Sequence, residues 1–244
     1  MVDQLQLDLA AVTVSFQGGG GVEEDVRWAA VSGDSLGAAR PWRTFRWYKG
    51  QQHYSGTYWA STNRDHVIYE SRLELARLLY ADFDGAVHRI VAQPFLIKAD
   101  IGGKVRKHIP DYLLLTADGL VVVDVKPLRR MSDPTVASTF AWTREVVESR
   151  GWRYEAWGEP SATELENLRF LAGYRRTWLI NADVLDELRA QDLDGATVGE
   201  AVRCLPNHPQ PLVRASILHL LWTGQLRTDL TRPLTANGIL RRSA

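Results

Sequence analysis

Asp111, Asp124 and Lys126 are ionisable residues set at the ends of two apolar runs, Tyr112-Leu113-Leu114-Leu115 and Leu120-Val121-Val122-Val123. An Asp-Gly pair, Asp118-Gly119, lies between the runs, and that arrangement predicts a β-hairpin. With Ala117-Asp118 as the loop, Asp111 stands directly opposite Asp124; with Asp118-Gly119 as the loop, it faces Lys126. Either register gathers two carboxylates and an ammonium group at one end of the hairpin. Facing carboxylates repel across a ladder, and continuous Leu and Val runs belong to strands buried on both faces. Charges in such a place need a partner or a metal. Asp124 and Lys126 are two apart, so they share a face of their strand.

Carboxylates from Asp111, Asp124 and a glutamate on the preceding helix, Glu74, would be hard oxygen ligands suited to Mg²⁺, with Mn²⁺ as the alternative. Such an ion offsets charge developing on a phosphodiester and acidifies a bound water. Lys126 could orient that water or stabilise the pentacovalent phosphate. Asp-x-Lys alone is a common tripeptide; with Pro110-Asp111 at the matching end of the preceding strand and Glu74 upstream, it describes a metal-dependent nuclease. The plain alternative is an Asp124–Lys126 ion pair at a sheet edge, with Asp111 capping a strand entry. Glu74 has its own alternative, because Ser71-Arg72-Leu73-Glu74 matches a capping box. Glu70, one turn earlier, competes with it for the role of helix acid.

The elements that must hold these groups can be read around them. Residues 5–16 alternate loosely as a strand, Gly18 to Gly21 form a flexible connector, and 22–39 are weakly patterned. A helix is predicted over 67–83 and a strand over 87–97, with Gln93-Pro94 marking an edge or bulge. A cationic loop then carries Lys98, Lys104, Arg106, Lys107 and His108 to the hairpin. Ser132-Asp133-Pro134 starts a helix that runs to Arg150, and 152–157 alternate as a strand, so a parallel crossover is expected. The order is helix, three strands, helix, strand: an α/β fold with a mixed sheet flanked by helices. A boundary is expected at Glu159-Pro160-Ser161. Residues 161–244 read as mostly helical, with capping boxes at Ser161 to Glu164 and Thr197 to Glu200. Short extended pieces near Pro233 and Asn237-Gly238 suggest a small winged-helix-like module. The expected division is 1–40 as an N-terminal extension, 41–160 as the nuclease-like domain and 161–244 as the C-terminal domain.

Composition bounds these readings. The chain has 244 residues, 45% hydrophobic and 24% charged, with a formal net charge of zero, so it is no indiscriminate polyanion binder. DNA affinity must come from local patches. The aromatic and basic stretch 41–59 contains Arg43 and Arg46 and is either a DNA surface or an arm strapped onto the core. Lys104, Arg106 and Lys107 are expected either to contact phosphates or to form a solvated loop tip, and Arg129 and Arg130 follow the site lysine. Cys204 is the only cysteine, which excludes an internal disulfide and a cysteine-based zinc site and fits a reducing cytoplasm. No signal peptide or 18-residue apolar segment is seen, so no membrane span is expected.

Through Glu74, Pro110-Asp111 and Asp124-Val125-Lys126 the chain resembles the PD-(D/E)xK nuclease superfamily. More narrowly it resembles the TnsA-type endonuclease subunit of heteromeric transposases. The resembling stretches are Ser71 to Ala76, Gln93-Pro94, Pro110 to Leu113, Val123 to Pro127 and Leu234 to Gly238, spanning from about Tyr54 to the C-terminus. The resemblance implies a restriction-endonuclease-like domain followed by a small helical one. It implies cutting of transposon 5′ ends in double-stranded DNA, alongside a DDE-type transposase and an AAA-type ATPase regulator. It assigns Glu74, Asp111 and Asp124 as metal ligands and Lys126 as the catalytic lysine; some family members carry Gln where Asp124 stands. A stand-alone restriction or repair nuclease would share the same core, and an adaptor with a degenerate site is the non-enzymatic reading.

Overall fold

The computed structural model describes residues 7–43 and 54–243. The chain divides into two compact units, Met1–Ala81 with Ala86–Glu159, and Asp82–Gly85 with Pro160–Ala244. Both helices and sheets are present, so the protein is α/β. Among the described residues no helix is long and apolar enough to cross a membrane.

The first unit runs β1 (Thr13–Gly18), β2 (Gly21–Arg27), α1 (Gly33–Gly37), β3 (Gly56–Ala60), β4 (Asp65–Tyr69), α2 (Arg72–Phe83), β5 (Val87–Ala92), β6 (Leu96–Ile101), β7 (Lys104–His108), β8 (Tyr112–Thr116), β9 (Gly119–Val125), α3 (Leu128–Met131), α4 (Pro134–Glu148) and β10 (Arg153–Trp157). The mixed sheet has the order β10-β9-β8-β5, with β9 and β10 parallel and the other pairs antiparallel. Val121, Val122 and Val123 of β9 are all buried, as a strand covered on both faces requires. On one face Val122 and Tyr154 pack with Trp142, Val146 and Val147 of α4. On the other, α2 meets β10 through an Arg77–Glu155 ion pair of 2.9 Å and a Tyr80–Trp157 ring contact.

The β8–β9 turn takes the first of the two registers. Thr116 pairs with Gly119, so Ala117-Asp118 is the loop. Gly119 has φ 114°, a left-handed value open to glycine, and the Thr116 hydroxyl donates to its carbonyl at 2.7 Å. The crossover helix α4 starts as expected: Asp133 accepts from the Thr135 and Val136 amides, and Pro134 occupies the first turn.

Elsewhere the pairing departs from the sequence reading. The strand expected over 87–97 is two strands in different sheets, because Gln93 turns left-handed (φ 44°) and Pro94 has no amide to continue the ladder. The expected cationic loop is the β6–β7 hairpin, turning at Gly102 and Gly103. β7 carries no strand signal in the sequence because it buries neither face and so shows no apolar alternation. The helix expected from 67 starts at Arg72, since Val67 to Tyr69 pair with β3. Gly18 to Gly21 make a tight hairpin turn rather than a loose connector, and the weakly patterned stretch 22–39 holds α1 and all of β2 after Gly21. β1 and β2 join β6 and β7 in a second sheet of order β2-β1-β6-β7. Residues 7–39 therefore belong to the first unit: Trp28 is 1% exposed and donates its indole N–H to the Val146 carbonyl at 2.8 Å.

The second unit carries α5 (Ala162–Leu171), α6 (Ala182–Ala190), α7 (Val198–Arg203), α8 (Gln210–Trp222), β11 (Leu226–Arg227) and β12 (Arg241–Arg242). Helix α8 is buried at Val213 and continuously from Ser216 to Trp222, including Ile217 and Leu221. Thr197 and Glu200 form the expected capping box, whereas the Ser161 side chain makes no cap bond. The ribbon pairs β11 with β12, not the pieces around Pro233 and Asn237. Buried Asn167 pins the intervening chain through the Leu230 and Arg232 carbonyls and the Leu234 amide.

Candidate active site

Tyr112 pairs with Val123, which carries the ladder on to set Asp111 beside Asp124. Asp111 is tied into the sheet on three sides. Its amide donates to the Val123 carbonyl at 3.1 Å, its carbonyl accepts from the Gln93 amide at 2.8 Å, and its Oδ2 accepts from the Val125 amide at 2.6 Å. Burial pushes its carboxyl well above the usual aspartate range, and the charges of Asp124 and Glu74 push the same way. The Val125 amide and the Lys126 ammonium oppose this without cancelling it.

Asp124 is 2% exposed and is gripped from two other strands. His108 Nε2, at the end of β7, lies 2.8 Å from each carboxylate oxygen. The Tyr154 hydroxyl of β10 donates to Oδ2 at 2.6 Å. The imidazole stands edge-on to Trp142, with centroids 6.1 Å apart. Burial and the Asp124 charge drive the Tyr154 hydroxyl far above its ordinary pKa, so it stays protonated and donates. Neither His108 nor Tyr154 was expected in the site. Their signal is non-local, since β7 belongs to one sheet and β10 to the far edge of the other.

Glu74 sits in the first turn of α2 and does cap it. It accepts from the Ser71 hydroxyl at 2.9 Å and the Glu70 amide at 2.7 Å, while its own amide donates to Ser71 Oγ at 3.1 Å. Burial raises its carboxyl and the Glu70 charge adds to that, while the hydrogen bonds from the Glu70 amide and the Ser71 hydroxyl, and the charge of Lys126, draw it back without cancelling the rise. Glu74 thus lies within the field of Lys126 and, in turn, acts on Asp111. Glu70 precedes the helix and is engaged elsewhere, with Arg43 at 3.2 Å and Gln93 Nε2 at 2.6 Å. Gln93 is a further buried polar residue not expected in the site, and its left-handed backbone is a local strain at the point where the chain changes sheets. Lys126 is half-buried; Asp124 pairs with His108 rather than with it, so the expected alternative of an Asp124–Lys126 ion pair is not formed among the described residues.

The basic residues expected at DNA separate. Arg43 pairs with Glu70, and Arg46 lies outside the described residues. Lys104, Arg106 and Lys107 line β7 and are exposed, as are Arg129 and Arg130 on α3.

Among the described residues no three His, Cys, Asp or Glu side chains are gathered closely enough to hold one ion. The donor chemistry still fits a hard divalent cation. Asp111 carries an incompletely offset charge among two other carboxylates, and its Oδ1 has no hydrogen bond among the described residues. Asp124 retains lone pairs beyond those His108 and Tyr154 use. As built, the site is a pair of carboxylates, Asp111 and Asp124, with the charges of Glu74 and Lys126 acting on Asp111. Compared with protein-family models and with curated proteins, the chain matches none.

Proposed function

We propose that the protein is a metal-dependent DNA endonuclease, the subunit of a heteromeric transposase that hydrolyses phosphodiester bonds at transposon 5′ ends. In this reading the first unit is a restriction-endonuclease-like domain and the second a winged-helix-like one. The partners are double-stranded transposon-end DNA, a DDE-type transposase and an AAA-type ATPase. The observation that carries the proposal is the closeness of Asp111 and Asp124 at the Tyr112–Val123 end of the β8–β9 ladder, where the charges of Asp124, Glu74 and Lys126 all act on Asp111. Buried like charges of this kind are costly and collect at functional sites.

Asp111, Asp124 and Glu74 would hold Mg²⁺, or Mn²⁺, which supplies Lewis-acid polarisation of the phosphate and a more acidic water. His108 and Tyr154 orient the Asp124 carboxylate. Ser71 and the Glu70 amide do the same for Glu74. Lys126 presents its ammonium group to charge developing on the phosphate oxygens.

The test is cleavage of transposon-end duplex by wild type, Asp111→Ala and Asp124→Ala, with Mg²⁺, Mn²⁺ or chelator, with and without the DDE-type partner. Metal-dependent 5′-end cutting that needs the partner and is lost in both variants is expected. Cutting by the chain alone would favour a stand-alone restriction or repair nuclease. Activity untouched by Asp111→Ala would remove the site from the chemistry.

A further inference from the structure

The β6–β7 hairpin carries a row of basic side chains whose last member, His108, reaches Asp124, and the register sorts the row by face. His108, Arg106 and Lys104 pair with Ile97, Ala99 and Ile101, and directly paired residues project from the same side of a sheet. That side is the core side, where Ile97 and Ala99 are buried. Lys107 pairs with Lys98 on the reverse side, where Lys98 Nζ bonds Asp25 at 2.7 Å and Lys107 also acts on that carboxylate.

β7 is the edge strand of its sheet, and Lys104 and Arg106 stand exposed on a face that is apolar in β6. Among the described residues no carboxylate pairs with either. Inward-facing charges can serve simply to blunt an edge against aggregation. That function sets no requirement on where the row leads. Here the row ends on His108, whose ring holds Asp124.

We propose that Lys104 and Arg106 form a phosphate track along β7 that leads one DNA strand to the Asp111–Asp124 end of the sheet, and that Lys107 takes no part. The proposal rests on the nuclease reading of that site and names how its substrate reaches it. With no net charge on the chain, such a local row is what could attract a polyanion. Arg106 adds a planar fork suited to bidentate phosphate contact.

The experiment is fluorescence anisotropy of a labelled duplex with the full chain in chelator, across a salt series. It compares wild type, Lys107→Gln, the Lys104→Gln/Arg106→Gln pair and Arg106→Lys. Removing two phosphate contacts should lower the slope of log K against log salt by about 1.8. Lys107→Gln should leave the slope at the wild-type value, and Arg106→Lys should largely restore it relative to loss of charge, which a misfolded variant would not do. A slope unchanged in the double variant, an equal loss in Lys107→Gln, or no binding by wild type would overturn the track. Because binding is read without metal, face-selective binding with no cleavage would sink the nuclease reading alone. Cleavage without face selectivity would sink the track alone.

Discussion

Asp111→Asn is expected to make the protein more stable at neutral pH while abolishing the proposed cleavage. The substitution keeps an oxygen that can accept from the Val125 amide, now 2.6 Å from Oδ2, and removes only the charge. That charge is opposed by burial and by the carboxylates of Asp124 and Glu74, and only partly supported by the Val125 amide and Lys126. Each pH unit by which the folded-state pKa exceeds the ordinary value is worth about 1.4 kcal/mol of destabilisation once the group is ionised. Relief of one local conflict commonly returns about 0.5–2 kcal/mol. For a chain of this size that is about 1–8 °C in melting temperature. The sign with pH follows from the raised pKa. The stability Asp111 contributes is fully present below its ordinary value of 3.8 and is lost as pH rises through the higher folded-state pKa. The gap between variant and wild type should therefore be smallest below the ordinary aspartate value of 3.8 and widen as pH rises above it. Thermal melts followed by circular dichroism in chelator read this directly. A variant that melts at or below wild type at neutral pH, or a gap that does not grow with pH, would refute the account of Asp111 as a strained carboxylate.

Tyr154→Phe removes the hydroxyl that donates to Asp124 at 2.6 Å, and should cost about 1.5–3 kcal/mol in chemical denaturation. It should also weaken divalent-ion binding about 10–100-fold by titration calorimetry. Glu74→Gln keeps one oxygen to accept from the Glu70 amide, and its NH2 can donate to the Ser71 hydroxyl, so α2 should persist by circular dichroism while cleavage falls about 10–100-fold; intact cleavage would reduce Glu74 to a cap. Trp28→Ala empties a buried site and removes the bond to Val146, so a loss of about 3–5 kcal/mol in urea unfolding is expected. A loss under about 1 kcal/mol would mean that residues 7–39 are not part of the first unit's core.

Much of the site's frame could be read from residues close together in sequence. Asp111, Asp124 and Lys126 stand out because they are charges at the ends of continuous apolar runs, and Asp118-Gly119 marks the turn. The Asp133-Pro134 start of α4 and the parallel strand after it are likewise local signals. The two registers of the hairpin were equally compatible with those signals. The structure selects one through the Thr116 turn and the pairing of Tyr112 with Val123. Glu74 matched both a cap and a site acid in sequence, and in the structure it caps α2 while acting on Asp111.

Composition, the apolar periods and the turn residues by themselves determined an α/β chain with an acidic pair and a lysine at one end of a buried hairpin, because those properties are written within a few residues of one another. Only the tertiary structure decided that β6 and β7 leave the mixed sheet for another, and that His108 and Tyr154 close on Asp124. Sheet membership and the partners of a buried carboxylate are settled by pairing between distant segments. An exposed edge strand such as β7, with Val105 64% exposed, carries no apolar alternation to announce where it will lie.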